Sequence, residues 1–486
     1  VPRKDLFDRG DRVFPLLQVL YIPASVLGGI VGLCLILLCS HFVNNPQWFE
    51  GDAGVAVHHT LAWYATDVVD LLRGWPGWLI AVIFAGLLLE RSGKSLRNSL
   101  KFAARQGIVV WIIVVGEVTI GLAAMWLVIL QSKTFANLPG SFGQLIETGF
   151  AGGHGTAAAM GDVFADMLGF EQGRDLGFVF ATVGLVFGVV TGIVYVNIAV
   201  RCGWTRRGDV EIARLTGLEA RREPKPVAFA RVRSEVIDPL VFQVLILAVA
   251  FAIGLATQWV FNQAMPFVID LFEPVAGLNK EIEEFRTVRA DILKFSGKLP
   301  LFMFTLVGGL LVREAMYLLR IGDLIDPQSI KLIMAAAMEF LIVAAITSLK
   351  VDAILRFGWP VLLLLVLGFV WTGFCLFFIA RRLLPRAYWF ELGILNYGMS
   401  TGTTAQGMML LRIIDKDLES GAAEDYALAA PLSAPFIGGG VITIIVLPYA
   451  LQHVHIGWVV AVLAAVMAGL YALGAMMAEK GTPDSA

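Results

Sequence analysis

Gly152-Gly153-His154-Gly155-Thr156 runs on into Ala157-Ala158-Ala159-Met160-Gly161 between two strongly apolar stretches. A second run of the same kind lies in the other half of the chain: Gly398-Met399-Ser400-Thr401-Gly402-Thr403-Thr404-Ala405-Gln406-Gly407. Segments this rich in small residues cannot build a regular membrane helix with an apolar face. They leave backbone N–H and C=O groups unpaired, which hydrocarbon tolerates only where protein or water lines a cavity. Two such interruptions, at corresponding places of two halves, mark the binding site of a secondary transporter.

The composition supplies the membrane. Hydrophobic residues are 58% of the 486 and charged residues 16%, against roughly 45–50% and 25% in soluble domains; mean hydropathy is +0.77. An all-α polytopic membrane protein in contact with the lipid bilayer is expected. A net charge of −2 without a basic, aromatic-interleaved patch points to no nucleic-acid partner. Cys34, Cys39, Cys202 and Cys375 have neither metal nor disulfide spacing and read as small buried hydrophobes. The charged start, with no apolar core before Leu16, predicts no cleavable signal peptide.

Apolar spans are expected at about 19–42, 77–89, 108–131, 176–200, 239–262, 299–312, 331–349, 359–380, 428–450 and 457–477, since about 20 residues cross a ~30 Å core. The segments 143–161 and 388–411 read as re-entrant hairpins or unwound helices, and 91–105 and 313–331 as amphipathic helices along the interface. The stretch 201–238 carries nine Lys/Arg. With the basic clusters at 91–105 and at Arg381, Arg382 and Arg386, it is expected on the cytoplasmic side. Counting crossings from there puts both termini inside, 43–76, 132–175 and 263–298 outside, and 381–427 inside. One hairpin then enters from each face, which makes two inverted-topology repeats. The division is 1–200 with the hairpin near 143–161, a basic linker 201–238, 239–450 with the hairpin near 388–411, and 451–486 as an extra helix and tail. Ile22-Pro23 before Gly28-Gly29 is echoed by Leu299-Pro300 before Gly308-Gly309.

In the first hairpin, Gly153 and Gly155 let backbone approach a ligand, and Thr156 stands where a helix can begin, its N–H groups suited to an anion. His154 either closes the tip by a hydrogen bond, touches substrate or moves a proton. In the second, Ser400, Thr401, Thr403, Thr404 and Gln406 offer oxygens to a hard cation such as Na⁺ or to a polar substrate; packing by small residues is the alternative. Glu117 and Glu339, each mid-span, are candidate proton carriers or ion ligands. The run 431–440, with Pro431, Pro435 and Gly438-Gly439-Gly440, is a further unwinding signal. His154 with Asp162 or Asp166 is the one enzyme-like pairing. Without HExxH, Gly-x-Ser-x-Gly or acids at metal spacing, neither an enzyme nor a metal site is expected.

On Gly152-Gly153-His154-Gly155-Thr156, Thr182-Val183-Gly184-Leu185-Val186-Phe187-Gly188, the two Pro/Gly-Gly echoes, and Gly402 with Thr404, the chain resembles the bacterial sodium/glutamate symporter family over most of 16–450. The resemblance implies two inverted repeats of about five helices, each with a re-entrant loop. It implies a homodimer in the bacterial inner membrane, and Na⁺-driven uptake of glutamate or a related amino acid or organic anion by an elevator-like movement. No cofactor is implied beyond Na⁺ as coupling ion. Carried over by position, Gly153, His154, Gly155, Thr156, Ser400, Thr401 and Gln406 would bind substrate, and Gly402, Thr403 and Thr404 the ion. The chain departs from the family pattern at Ala405-Gln406, where a proline between threonines is usual. It departs again at Ile437-Gly438-Gly439-Gly440-Val441-Ile442, where an acid and an amide are usual. The alternatives are proton coupling, or a channel or sensor on a transporter fold.

Overall fold

The computed structural model describes residues 24–45, 51–89, 96–205, 238–272, 289, 293, 299, 301–350, 356–415, 420–433 and 436–478. Among these, regular structure is helical throughout, and nine runs are long and apolar enough to cross a membrane. Tyr21, Ile22, Pro23, Lys298 and Pro300, most of the basic linker (206–237), the first 23 residues and the tail from 479 lie outside the described residues.

The first described helix is α1 (Ala24–Val43). The short apolar stretch expected at 77–89 is the end of a far longer run. α2 (Gly51–Trp63) passes through a π turn, Tyr64–Val68, into α3 (Val69–Leu87). His58, His59, Thr60, Asp67, Asp70 and Arg73 had masked its first half in hydropathy. Thr60 and Thr66 satisfy their hydroxyls within the helix by donating to Ala56 O (2.9 Å) and Ala62 O (2.8 Å). α4 (Leu96–Ala124) is continuous from its basic start into the span, so no separate interfacial helix exists over 96–105. Two shorter helices follow, α5 (Leu145–Gly149) and α6 (Gly153–Asp166), and, after a turn, the long α7 (Gly173–Arg201).

The second half opens with α8 (Pro239–Phe272) and α9 (Leu301–Leu318). The amphipathic helix expected at 313–331 is instead the end of α9, a 3₁₀ turn and the start of α10 (Pro327–Thr347). Asp326 stops any continuation by capping α10. Its carboxylate accepts from Ser329 N–H (3.0 Å) and Ser329 Oγ–H (2.6 Å), with Pro327 in the first helical turn. Then come α11 (Gly358–Phe374), continuing by a π turn into the three-residue α12 (Arg381–Leu383), and α13 (Trp389–Thr401) and α14 (Thr404–Ile414). The span expected at 428–450 is two helical pieces. α15 (Ala422–Ser433) stops before the glycines 438–440, and a π turn at Ile442–Val446 leads into α16 (Leu447–His453). α17 (Ile456–Met477) crosses last. Cys375 is buried as expected, whereas Cys39 is only half-buried and Cys34 and Cys202 are exposed.

Polar contacts fasten the bundle at two ends. At one, Arg73 Nη2 meets Asp175 Oδ1 at 2.8 Å while its Nε donates to Ser348 O (3.2 Å), and Lys350 N–H donates to Asp175 (3.3 Å). At the other, the buried Arg105 donates to Leu383 O from Nε (3.0 Å) and Nη2 (2.8 Å), and Gln243 Nε2 donates to Leu324 O (2.9 Å). Arg313 Nη1 donates to Leu88 O there (3.2 Å). Between the ends, α1 packs on α10, α9 on α3, and α3 on α10. The echoed glycine pairs sit at the first two of these contacts, Gly29 against Ile346 and Gly309 against the Ala85 carbonyl. The deepest apolar cluster wraps the segment between α5 and α6: Phe150 lies 4.9 Å from Phe369 and 6.2 Å from Phe180, ring centre to ring centre.

Candidate functional site

Three helix breaks meet. At the first, α5 ends with Phe150 N–H on Ile146 O (2.8 Å) and Gly152 N–H on Glu147 O (2.9 Å). The chain then turns through Gly153 at φ +66°, a left-handed conformation that side chains resist, and α6 begins. A Cβ on Gly153 would stand 3.2 Å from the carbonyl of Gly402, the tip of the second break. The two tips are thus in contact, and from each a helix departs, α6 and α14, with its N-terminal N–H groups at the junction.

The second break closes on itself. Thr403 caps α14, its Oγ1 accepting from Gln406 N–H (3.2 Å). Ser400 and Thr401 hydroxyls donate back to Tyr397 O (3.3 and 2.9 Å). Gln406 Nε2 donates to Thr401 Oγ1 (3.3 Å), while its Oε1, turned towards Gly402, has no hydrogen-bond partner. Thr404 is exposed, and its hydroxyl pairs with Tyr426 OH at 2.9 Å. Beneath the turn, Gln106 and Asn396 exchange amide hydrogen bonds, Asn396 Nδ2 reaching Gln106 Oε1 at 3.0 Å.

The third break, Gly438-Gly439-Gly440, is bound to the first. Gly438 (φ +64°) and Gly439 (φ +103°) leave no room for helical hydrogen bonds, and their polar groups go elsewhere. Glu147 Oε1 accepts from Gly438 N–H (2.9 Å) and Thr443 Oγ1–H (2.8 Å), and Thr156 Oγ1 donates to Gly438 O (3.1 Å). Gln144 Nε2 reaches Thr443 O at 3.4 Å. α4 approaches the start of this hairpin at Gly121, whose missing side chain leaves room for the Gly143 carbonyl. One turn earlier Glu117 is thereby set beside Ala151 and within electrostatic reach of Glu147. Both carboxyls are fully buried. Neither Glu117 oxygen, nor Glu147 Oε2, has a hydrogen-bond partner, and no Lys or Arg among the described residues pairs with either group.

Of the residues singled out from sequence, Gly153, Thr156, Gly402, Thr403, Gln406 and Glu117 converge on this junction, with Gly155, Ser400 and Thr401 buried behind it. His154 turns away: its Nε2 lies 2.9 Å from Thr182 Oγ1, and its ring stacks on Phe178. Glu339 is exposed on the outer side of α10, away from the junction, next to the exposed Phe340. Asp162 pairs with Arg174 at 2.6 Å. Glu147, Gln144 and Thr443 were not singled out. The signal for Glu147 was present, since it is the sole Asp, Glu, Lys or Arg between Lys133 and Asp162.

The junction gathers side-chain oxygens and two buried carboxyls, groups that suit a cation, while the N-termini of α6 and α14 suit an anionic group. That is a chemistry of binding a cation and an anionic or zwitterionic solute together. Compared with protein-family models, curated proteins and solved structures, the chain has no match.

Proposed function

We propose that the protein is a secondary active transporter of a small organic solute, an amino acid or organic anion, driven by a cation that binds at Glu117 and Glu147. One observation carries this reading: the Gly153 and Gly402 tips touch beside two buried carboxyls that have no cationic partner among the described residues. A buried carboxylate without a counter-charge is costly in a membrane and is kept where an ion or proton uses it. The substrate's negative group would lie on the N-terminal N–H groups of α6 and α14, with Thr156, Thr404 and Gln406 hydrogen-bonding its polar atoms.

The inverted-repeat organisation belongs to the same proposal. It is supported by the reciprocal packing of α1 on α10 and α9 on α3 through matching glycine pairs. It is supported also by the two fastened ends, which join residues that the charge pattern puts on the same face: Arg73, Asp175 and Ser348 outside, Arg105, Leu383, Arg313 and Leu88 inside. The resemblance to sodium/glutamate symporters fits one further detail. The acid usual after the second hairpin is missing from 437–442, and Glu147 brings a carboxylate to that glycine break from the first hairpin.

The leading coupling ion is Na⁺, for which carboxylate, Gln144 and threonine oxygens are suitable hard ligands. Proton coupling is the second reading, favoured by the complete burial of Glu117 without a Lys or Arg partner among the described residues. Saturable counterflow in proteoliposomes tests the carrier assignment. Flux that follows a Na⁺ gradient supports the first reading, and flux that follows only a pH gradient supports the second. Flux that does not saturate and shows no counterflow overturns both in favour of a channel.

A further inference from the structure

A second site lies apart from the three breaks. A cleft of about 670 Å³ opens where the span Gly358–Leu383 ends, and Arg105, Arg381, Arg382, Arg386, Phe378 and Trp389 are among the residues lining it. Arg105 is committed to the protein, with two donors on Leu383 O. The other three are exposed. Arg381 lies over the rings of Trp204 (5.6 Å) and Trp389 (5.8 Å), and Arg382 Nη1 donates to Tyr471 OH at 3.3 Å. None of the three meets a carboxylate among the described residues. Three guanidinium groups within six residues repel one another unless an anion sits among them, and Arg is the side chain best shaped to grip a phosphate.

The surroundings say which anion. The arginines stand at the end of an apolar span, the position from which a side chain meets lipid phosphates. Running away from them along the same helix is a ladder of stacked aromatic rings. Trp371 is 5.7 Å from Phe374 and Phe374 is 5.0 Å from Phe378, with Phe374 41% and Phe378 53% exposed. A free phosphate has no use for that ladder, whereas an acyl chain lies along it. We infer that this cleft binds an anionic glycerophospholipid, its phosphate on Arg381, Arg382 and Arg386 and one acyl chain along Trp371, Phe374 and Phe378.

The test uses the full chain purified in a neutral detergent, titrated with phosphatidylglycerol, phosphatidylcholine or inorganic phosphate. Retained lipid is read by native mass spectrometry and stability by thermal melting. Phosphatidylglycerol is expected to be retained and to raise the melting temperature, with phosphatidylcholine and phosphate much weaker. Arg381→Gln, Arg382→Gln and Arg386→Gln should each lower apparent affinity about fivefold, and Phe374→Ser with Phe378→Ser should weaken the lipid but not change the response to phosphate. Equal retention of both lipids by the unmodified chain overturns the proposal in favour of non-selective annular lipid. Stabilisation by phosphate as strong as by phosphatidylglycerol overturns it in favour of a free-anion site. Because those two comparisons need no variant, a variant that fails to fold does not blunt the test.

Discussion

At the first break the turn is held from outside itself. The Glu147 carboxylate fixes Gly438 N–H and Thr443, and Thr156 reaches the Gly438 carbonyl, nearly three hundred residues away along the chain. At the second break nearly every hydrogen bond is local: Thr403 to Gln406, Gln406 to Thr401, Ser400 and Thr401 to Tyr397. A turn bonded to a distant element keeps its shape only while that element stays put. A locally bonded turn can move as a unit. Under the transport reading, the contrast would put the first and third breaks in one body that holds the ion and make the second the part that shifts against it.

The sharpest way to break that contrast is Glu147→Ala, which strips the acceptor from the buried Thr443 hydroxyl and the half-buried Gly438 N–H. It should abolish transport and lower stability by about 2–3 kcal/mol, read by counterflow and thermal melting. Glu147→Gln keeps an acceptor oxygen and should fold near normally while losing the dependence on the coupling cation. A second attack is Gly188→Ala on α7, whose new methyl would overlap Thr401 Oγ1 and Gln406 Nε2. Overpacking of this kind costs about 1–3 kcal/mol, and it should reduce flux while cation-dependent stabilisation survives. Smaller effects are expected from Thr156→Val and Thr404→Val. Each should weaken substrate-driven stabilisation by about 1 kcal/mol with the fold intact, and unchanged ligand-dependent melting in both would remove these hydroxyls from the site. Smallest is Glu339→Gln: facing outward on α10, it should leave flux and its ion dependence unaltered, unlike Glu117→Gln, which should remove the ion dependence.

Two of the breaks were legible because glycine and threonine crowd there more densely than helix packing by small residues needs. The third showed in Gly438-Gly439-Gly440, but its attachment to the first break depends on a tertiary contact through Glu147 that no periodicity encodes. Hydropathy hid the first half of the run from Gly51 to Leu87, since Asp67, Asp70 and Arg73 lower the average while the helix continues past them. It also suggested separate surface helices at 91–105 and 313–331, where the described basic residues from 96 onward lie on or between the helices that cross. Glu339 and Glu117 looked equivalent, each an acid mid-span; only the helix faces, set by which neighbours pack where, tell them apart. His154 was the most conspicuous residue of its motif, and its bond to Thr182 makes it a brace for the tip.

The hydroxyl of Thr156 on Gly438 O sits one peptide away from the N–H that Glu147 holds. Under the transport reading, a cation that tightens Glu147 would also order Thr156, and a solute that takes the Thr156 hydroxyl would act on the carboxylate in return. Linkage requires the two effects to be equal: whatever factor the cation contributes to solute affinity, the solute contributes to cation affinity. Under the transport reading, two equilibrium titrations, each ligand with and without the other, should return the same number, and Thr156→Val should bring that number towards one.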